Sequence, residues 1–136
     1  MTLAEQFQKL LSQPNNAIVA VNRAEGGPQI TPIWYVWDGE SFYFSTTKDR
    51  AKYRLIQHDP AISLLVEDGP TYIAAYGKAE VLEDNPEAIA RKILEKYVPA
   101  DKVEEYLPMT QAPGRIIVKL HPDKFVTSSQ VLMQRA

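Results

Sequence analysis

Residues 40–54, ESFYFSTTKDRAKYR, put a strand, a run of hydroxyls and four cations into one short segment. Phe42, Tyr43 and Phe44 are aromatic and strand-prone. They lead into Ser45, Thr46 and Thr47, whose hydroxyls satisfy backbone donors or meet the oxygens of a ligand. Thr47 suits the N-cap of a following helix, Asp49 suits its positive end, and Ala51, Tyr53 and Leu55 continue the turn. A strand that ends in hydroxyls and opens a helix bearing Lys48, Arg50, Lys52 and Arg54 is a candidate phosphate site, because free N–H groups, macrodipole and cations coincide. The same residues also suit a solvated helix face with an ordinary cap, and the segment alone leaves both readings open. Arg50 and Arg54 share a helix face and Lys52 does not. Arg50 and Lys52 therefore meet on one anion only if Arg50 lies in the turn before the regular helix.

Upstream, Asp38-Gly39 is a hairpin signal, and residues 29–37, QITPIWYVW, read as the preceding strand. Residues 17–21, AIVAV, read as the strand before it, joined through a turn with two glycines at 24–28. Pro32 cannot donate to a ladder, which predicts an edge or a bulge. Alternation sets Ile33, Tyr35 and Trp37 on one face and Trp34 and Val36 on the other. One aromatic face suits a barrel core; the other suits a second subunit, a flat ligand or simply more core. Residues 3–11 predict a short amphipathic helix, with Thr2 as N-cap and Pro14 closing it.

Downstream, residues 61–66, AISLLV, read as a buried strand, and residues 71–82 as a long one bent at Gly77. Asn85-Pro86-Glu87 predicts a helix start with Asn85 as N-cap and Pro86 in first position. Ile89, Ile93 and Tyr97 then follow at helical spacing, and that helix is expected simply to pack over the sheet. A helical turn at 101–107 before Pro108 and a strand at 115–120, continued over 125–132, complete the chain.

With 136 residues, 45% hydrophobic and 24% charged, one ordinary domain is expected. A formal net charge of -2 offers no bulk field for nucleic acid or anionic membrane, so a basic site must be local. The chain has no Cys, which removes disulfide and thiolate chemistry. His58 and His121 read as surface or capping residues, and no metal site is expected. No carboxylate pair, Ser-His-Asp set or Gly-rich phosphate loop stands out. No apolar run spans a bilayer and no signal peptide is apparent, which points to the cytoplasm.

Residues 31–68, TPIWYVWDGESFYFSTTKDRAKYRLIQHDPAISLLVED, resemble the core of the split-barrel flavin and deazaflavin oxidoreductases, the superfamily of pyridoxamine 5′-phosphate oxidase. The ordered run TPxW, STTxxRAKxR and DPxxSLLV is most similar to the branch described as coenzyme F-420-dependent. The resemblance implies an α+β, mainly β fold: a six-stranded antiparallel split β-barrel of the FMN-binding type with flanking helices. It further implies a homodimer with cofactor sites at the subunit interface. By position, Arg50 and Lys52 match the family's cofactor-phosphate cations, and Ser45, Thr46 and Thr47 its hydroxyl segment. Thr31, Pro32, Ile33 and Trp34 match the strand beside the isoalloxazine-like ring, while Tyr72, Tyr76 or residues 130–133 are candidates to reach a site across the dimer. Leu55 stands where related sequences often carry Asn, which removes a polar contact near the phosphate. The implied activity is hydride transfer between bound coenzyme F-420 or FMN and a small conjugated substrate, with the chemistry residing in the cofactor. A non-catalytic carrier of flavin, haem or another planar ligand on the same barrel is the alternative. A single-stranded nucleic-acid platform is disfavoured by the acidic balance.

Overall fold

A computed structural model describes residues 3–128. Seven strands form one antiparallel sheet: β1 (Ala17–Val21), β2 (Gln29–Ile33), β3 (Tyr35–Trp37), β4 (Phe42–Thr47), β5 (Ala61–Asp68), β6 (Thr71–Leu82) and β7 (Arg115–Thr127). Their order across the sheet is β2-β1-β5-β6-β7-β4-β3. The period-2 pattern decides which side chains enter the core. Along β4, Phe42, Phe44 and Thr46 are buried while Tyr43, Ser45 and Thr47 are half-buried. Along β5, Ile62, Leu64 and Val66 are buried but Leu65 is exposed, so this apolar run is covered on one face rather than both.

The strand expected over residues 29–37 is two strands, which makes seven rather than six. The break falls at Trp34. Residues before it pair with β1, from Val21↔Gln29 to Ala17↔Ile33, and residues after it pair with β4, from Tyr35↔Phe44 to Trp37↔Phe42. A single extended segment thus changes partner, an event governed by tertiary pairing and invisible to local periodicity. Because β2 and β3 are the two edges of the sheet and one residue joins them, the sheet curls until its edges meet at Trp34. Pro32 lies on the edge strand β2 opposite Ile18, where its missing donor costs no inner ladder bond, and the register there is free of bulges.

The irregularity sits elsewhere, between β6 and β7: Tyr76 pairs with Lys124 and Gly77 with Pro122, which leaves Asp123 as an extra residue on β7. There the β7 backbone crosses so closely that a Cβ on Gly77 would lie 1.9 Å from the His121 carbonyl oxygen. This bend lets β7 pair with β6 on one side and β4 on the other. The core behind it includes Tyr35, Phe42 and Phe44, all fully buried, with Trp37 and Phe125 packed against them.

Helix α1 (Glu5–Ser12) buries Phe7, Leu10 and Leu11. Its first residue follows Ala4, and the expected cap Thr2 lies outside the described residues. Helix α2 (Ala51–His58) begins later than expected: β4 runs on through Thr47, paired with Arg115, so Thr47 is a strand residue and Arg50 holds the N-cap position. Helix α3 (Glu87–Tyr97) is preceded by Pro86, and Asn85 does not cap it. Asn85 instead takes positive φ (47°) and donates from Nδ2 to the Thr110 carbonyl at 2.8 Å, tying the two helices that flank the sheet. A 3-10 turn (Ala100–Lys102) leads into α4 (Val103–Thr110), longer than expected, with Pro108 inside its last turn. A proline there removes only one helical bond. Strand β7 is continuous from Arg115 through the His121–Lys124 stretch to Thr127, and the suggested extension beyond Ser128 lies outside the described residues.

Candidate functional site

The junction of β4 and α2 does what convergence of Arg50 and Lys52 requires. Arg50 is extended (φ -80°, ψ 147°) and precedes the regular helix, while Lys52 lies in the first turn. Both side chains line one cavity of about 300 Å³. Its walls are Pro32, Ile33 and Trp34 from the β2–β3 edge, Ser45 and Thr46 from β4, Ala90, Ile93 and Leu94 from α3, and Thr110 and Arg115. It is half polar chemistry and half apolar surface, the mixture that small-molecule sites use for orientation and affinity.

Its charge is one-sided. No ion pair links Arg50, Lys52 or Arg115 to a carboxylate among the described residues. Lys52 Nζ donates to Thr31 Oγ1 at 2.7 Å, and its pKa is lowered by burial and then by the neighbouring Arg50 guanidinium. Two further polar atoms, Ser45 Oγ and Arg115 Nε, are shut away from solvent without a hydrogen-bond partner among the described residues. Buried groups of this kind are expensive when unpaired, so an anionic or oxygen-rich ligand fits the lining. The other two cations of the segment turn away: Lys48 pairs with Glu83 at 2.7 Å, and Arg54 donates to the Asp49 carbonyl.

One wall is aromatic. Trp34, 45% exposed, stacks on Tyr97 with ring centroids 4.9 Å apart and planes 2° from parallel. Tyr97 is fixed in turn: its hydroxyl donates to the Asn15 carbonyl at 2.8 Å and accepts the Tyr35 N–H at 3.2 Å. Next to it, Lys96 Nζ donates to the carbonyls of Leu11 (2.8 Å) and Tyr35 (3.1 Å) and sits 3.6 Å from the centre of the Tyr35 ring. One lysine thus ties α1, β3 and α3 together behind the aromatic wall.

Burial pulls the Lys96 ammonium down to about 8, and burial pushes the Tyr97 hydroxyl up to about 12 and raises that of Tyr35. The sign of the resulting pH dependence follows from proton counting. Between about pH 8 and pH 10 the unfolded chain holds a proton that native Lys96 has released, so stability should rise with pH. Above pH 10 unfolded tyrosines ionise while native Tyr35 and Tyr97 keep their protons, so stability should fall. Because solvent still reaches the ammonium, the rise should be about 1 kcal/mol. Urea denaturation of the wild type and Lys96→Met at pH 7.5 and 9.5 checks it; identical pH profiles would exclude Lys96 as the cause.

Of the residues marked by sequence, Pro32, Ile33, Trp34, Ser45, Thr46, Arg50 and Lys52 are brought together in one lining. Thr31 stands behind it as the Lys52 acceptor. Thr47 lies outside it, with its hydroxyl bonded to the Asp49 carboxylate. Tyr76 is exposed and does not line the cavity, Tyr72 is half-buried, and residues 130–133 are outside the described residues. Sequence reading missed Arg115, Thr110 and the α3 wall. The apolar positions of α3 read as packing and do pack, but they also close the cavity. Arg115 follows Pro113-Gly114 at a strand start, and only its long-range pairing with Thr47 brings it to the site.

Solved structures share this fold. A structure named F420 reductase is 29% identical, with 91% of this chain and 98% of that one covered and a TM-score of 0.71. A conserved hypothetical protein from Mycobacterium tuberculosis is 21% identical over 93% of this chain and 85% of its own, with a TM-score of 0.79. General stress protein 26 from Bacillus anthracis is 17% identical over 90% and 91%, with a TM-score of 0.69. No curated protein matches the chain significantly. The family model for pyridoxamine 5′-phosphate oxidase matches residues 3–127, the whole span from α1 through β7, and the chain belongs to that family.

Proposed function

We propose that the protein is an oxidoreductase that holds a phosphorylated flavin-type cofactor, coenzyme F-420 or FMN, and transfers hydride between it and a small conjugated substrate. The observation that carries this reading is the convergence of Arg50 and Lys52, without a carboxylate partner among the described residues, in a cavity walled by Pro32, Ile33 and Trp34. Arg50 and Lys52 hold the phosphate, with Thr31 orienting Lys52. Ser45 and Thr46 offer hydroxyls beside it, and Trp34, backed by Tyr97, offers a flat apolar wall to the ring. Hydride chemistry is what the cofactor supplies when bound; the chain's own groups bind it, orient it and exclude water.

Titrating ligand-free protein with FMN and with F-420, following the absorbance and fluorescence of each, tests the reading. Saturable binding of one of them is expected, and binding of neither would overturn it. Because Lys52 loses its proton below the usual lysine range, affinity should begin to fall at a pH where an ordinary lysine is still charged. Tight binding without turnover of any conjugated acceptor would leave the carrier role instead.

The reading includes a homodimer. Ladder pairing places Ile30 and Pro32 of β2, Ile18 and Ala20 of β1, Leu65 of β5 and Tyr76 of β6 on one outer face. Ile18, Ile30, Leu65 and Tyr76 are all exposed there, a contiguous apolar surface of the kind that proteins bury against a partner. The Leu65→Arg variant should run as a monomer in light-scattering chromatography where the wild type runs as a dimer. A monomeric wild type would remove this part of the proposal.

A further inference from the structure

Arg115 opens β7 directly opposite Thr47, and Ile117 lies opposite Ser45, so Arg115 and Ser45 share one face of the sheet. The Lys48 N–H donates to the Gly114 carbonyl at 2.8 Å, pinning the residue before Arg115 to the segment that leads into Arg50. Ser45 Oγ and Arg115 Nε are both enclosed without a hydrogen-bond partner among the described residues. Arg50, Lys52 and Arg115 line one cavity together, and none of the three has an ion pair with a carboxylate among the described residues.

We propose that Arg115 with Ser45 forms the third arm of the anion site, and that the cavity selects ligands carrying at least two negative charges on phosphate or carboxylate oxygens. This rests on the cofactor reading and sharpens it. Three cations in a partly enclosed cavity repel one another, and a single anionic charge leaves that repulsion largely in place, whereas a doubly charged ligand compensates it. An arginine is suited to the task because its guanidinium stays charged and presents planar donors to anionic oxygens, while the serine hydroxyl completes an acceptor's shell. A phosphate monoester dianion satisfies the demand, and so does a phosphodiester that carries carboxylates on the same molecule.

The test uses the full chain with FMN, F-420, their uncharged counterparts (riboflavin and the phosphate-free deazaflavin chromophore) and inorganic pyrophosphate. In the wild type, pyrophosphate should compete with whichever cofactor binds. Arg115→Gln should weaken that cofactor about 30-fold and Ser45→Ala about fivefold, with the uncharged counterpart unaffected and Arg115→Lys recovering part of the loss. Thermal melting without ligand should match the wild type for Ser45→Ala and Arg115→Lys, and match or exceed it for Arg115→Gln, in which a repelling charge has been removed. Unchanged cofactor affinity in Arg115→Gln would overturn the inference and leave the cofactor reading standing. Equal weakening of charged and uncharged ligands would also overturn it. If neither cofactor binds but pyrophosphate binds the wild type and not Arg115→Gln, the anion arm stands and the cofactor reading falls; if pyrophosphate does not bind the wild type either, both fall. Should Arg115→Gln fail to fold, Ser45→Ala and Arg115→Lys carry the same comparison.

Discussion

Replacing Arg50 and Lys52 together by Ala is expected to weaken FMN or F-420 binding about 100-fold or more while the protein stays folded. Each side chain would lose a charge-assisted hydrogen bond to phosphate, worth roughly 1.5–3 kcal/mol, and the two losses fall on one ligand group. The cost to the ligand-free fold should be small, and its reason is specific. Neither residue has a carboxylate partner among the described residues, and the only side-chain bond lost is that from Lys52 to Thr31. Relief of the repulsion that lowers the Lys52 pKa works in the opposite direction, so unfolding free energy should stay within about 1 kcal/mol of wild type. Isothermal titration and urea denaturation measure the two quantities separately. Undiminished cofactor affinity in a folded double variant would remove the phosphate from this end of the cavity.

Gly77→Ala should act on the fold itself, with a loss of about 3 kcal/mol or more. The added methyl would meet the His121 oxygen at 1.9 Å, the His121 carbonyl carbon at 2.8 Å and Pro122 Cα at 2.9 Å. All three are backbone atoms of the strand paired with β6, so no side chain can rotate out of the way. Relief requires prying apart a ladder that runs from Ile73↔Thr127 to Leu82↔Ile117 and holds β7 against β4 beyond it. Gly69→Ala is a useful contrast, since that residue has φ +60° and nothing within 4 Å of a new Cβ. It should cost only about 1 kcal/mol, the conformational penalty without the clash. Denaturation midpoints that place Gly77→Ala beside Gly69→Ala would mean that β7 can shift, and the close crossing would lose its importance.

Much of the architecture was legible because strands announce themselves by alternation. The alternation over residues 71–82 and the strand start at Arg115 agree with the bounds of β6 and β7, and Gly77 marks a bend by residue type alone, although its cause, the close β7 backbone, does not show in the sequence. Errors came where distant pairing overrode a local preference. Thr47 is a good cap by residue type, but Arg115 holds it in the ladder, and the helix begins only at Ala51. Trp34 sits inside an apolar run that looks unbroken, yet it is where the chain leaves β1 for β4. The same limitation explains the site. Arg50 and Lys52 are neighbours in sequence, so their cooperation was readable apart from the conformation of Arg50. Arg115 and the α3 wall reach the cavity through register and packing, which no local pattern of residues encodes.

The meeting of the sheet's edges at Trp34 bears on how the protein behaves at high concentration. Open sheet edges template the addition of foreign strands, which is the first step towards fibrils. Here one edge carries Pro32, which offers no N–H, and the other, β3, is three residues long and continuous with the first through one tryptophan. An incoming strand finds an interrupted row of donors on one side and almost no length on the other. Chains of this protein should therefore associate through side chains on the sheet's face and resist polymerising edge to edge, even in the crowded solutions of concentrated storage.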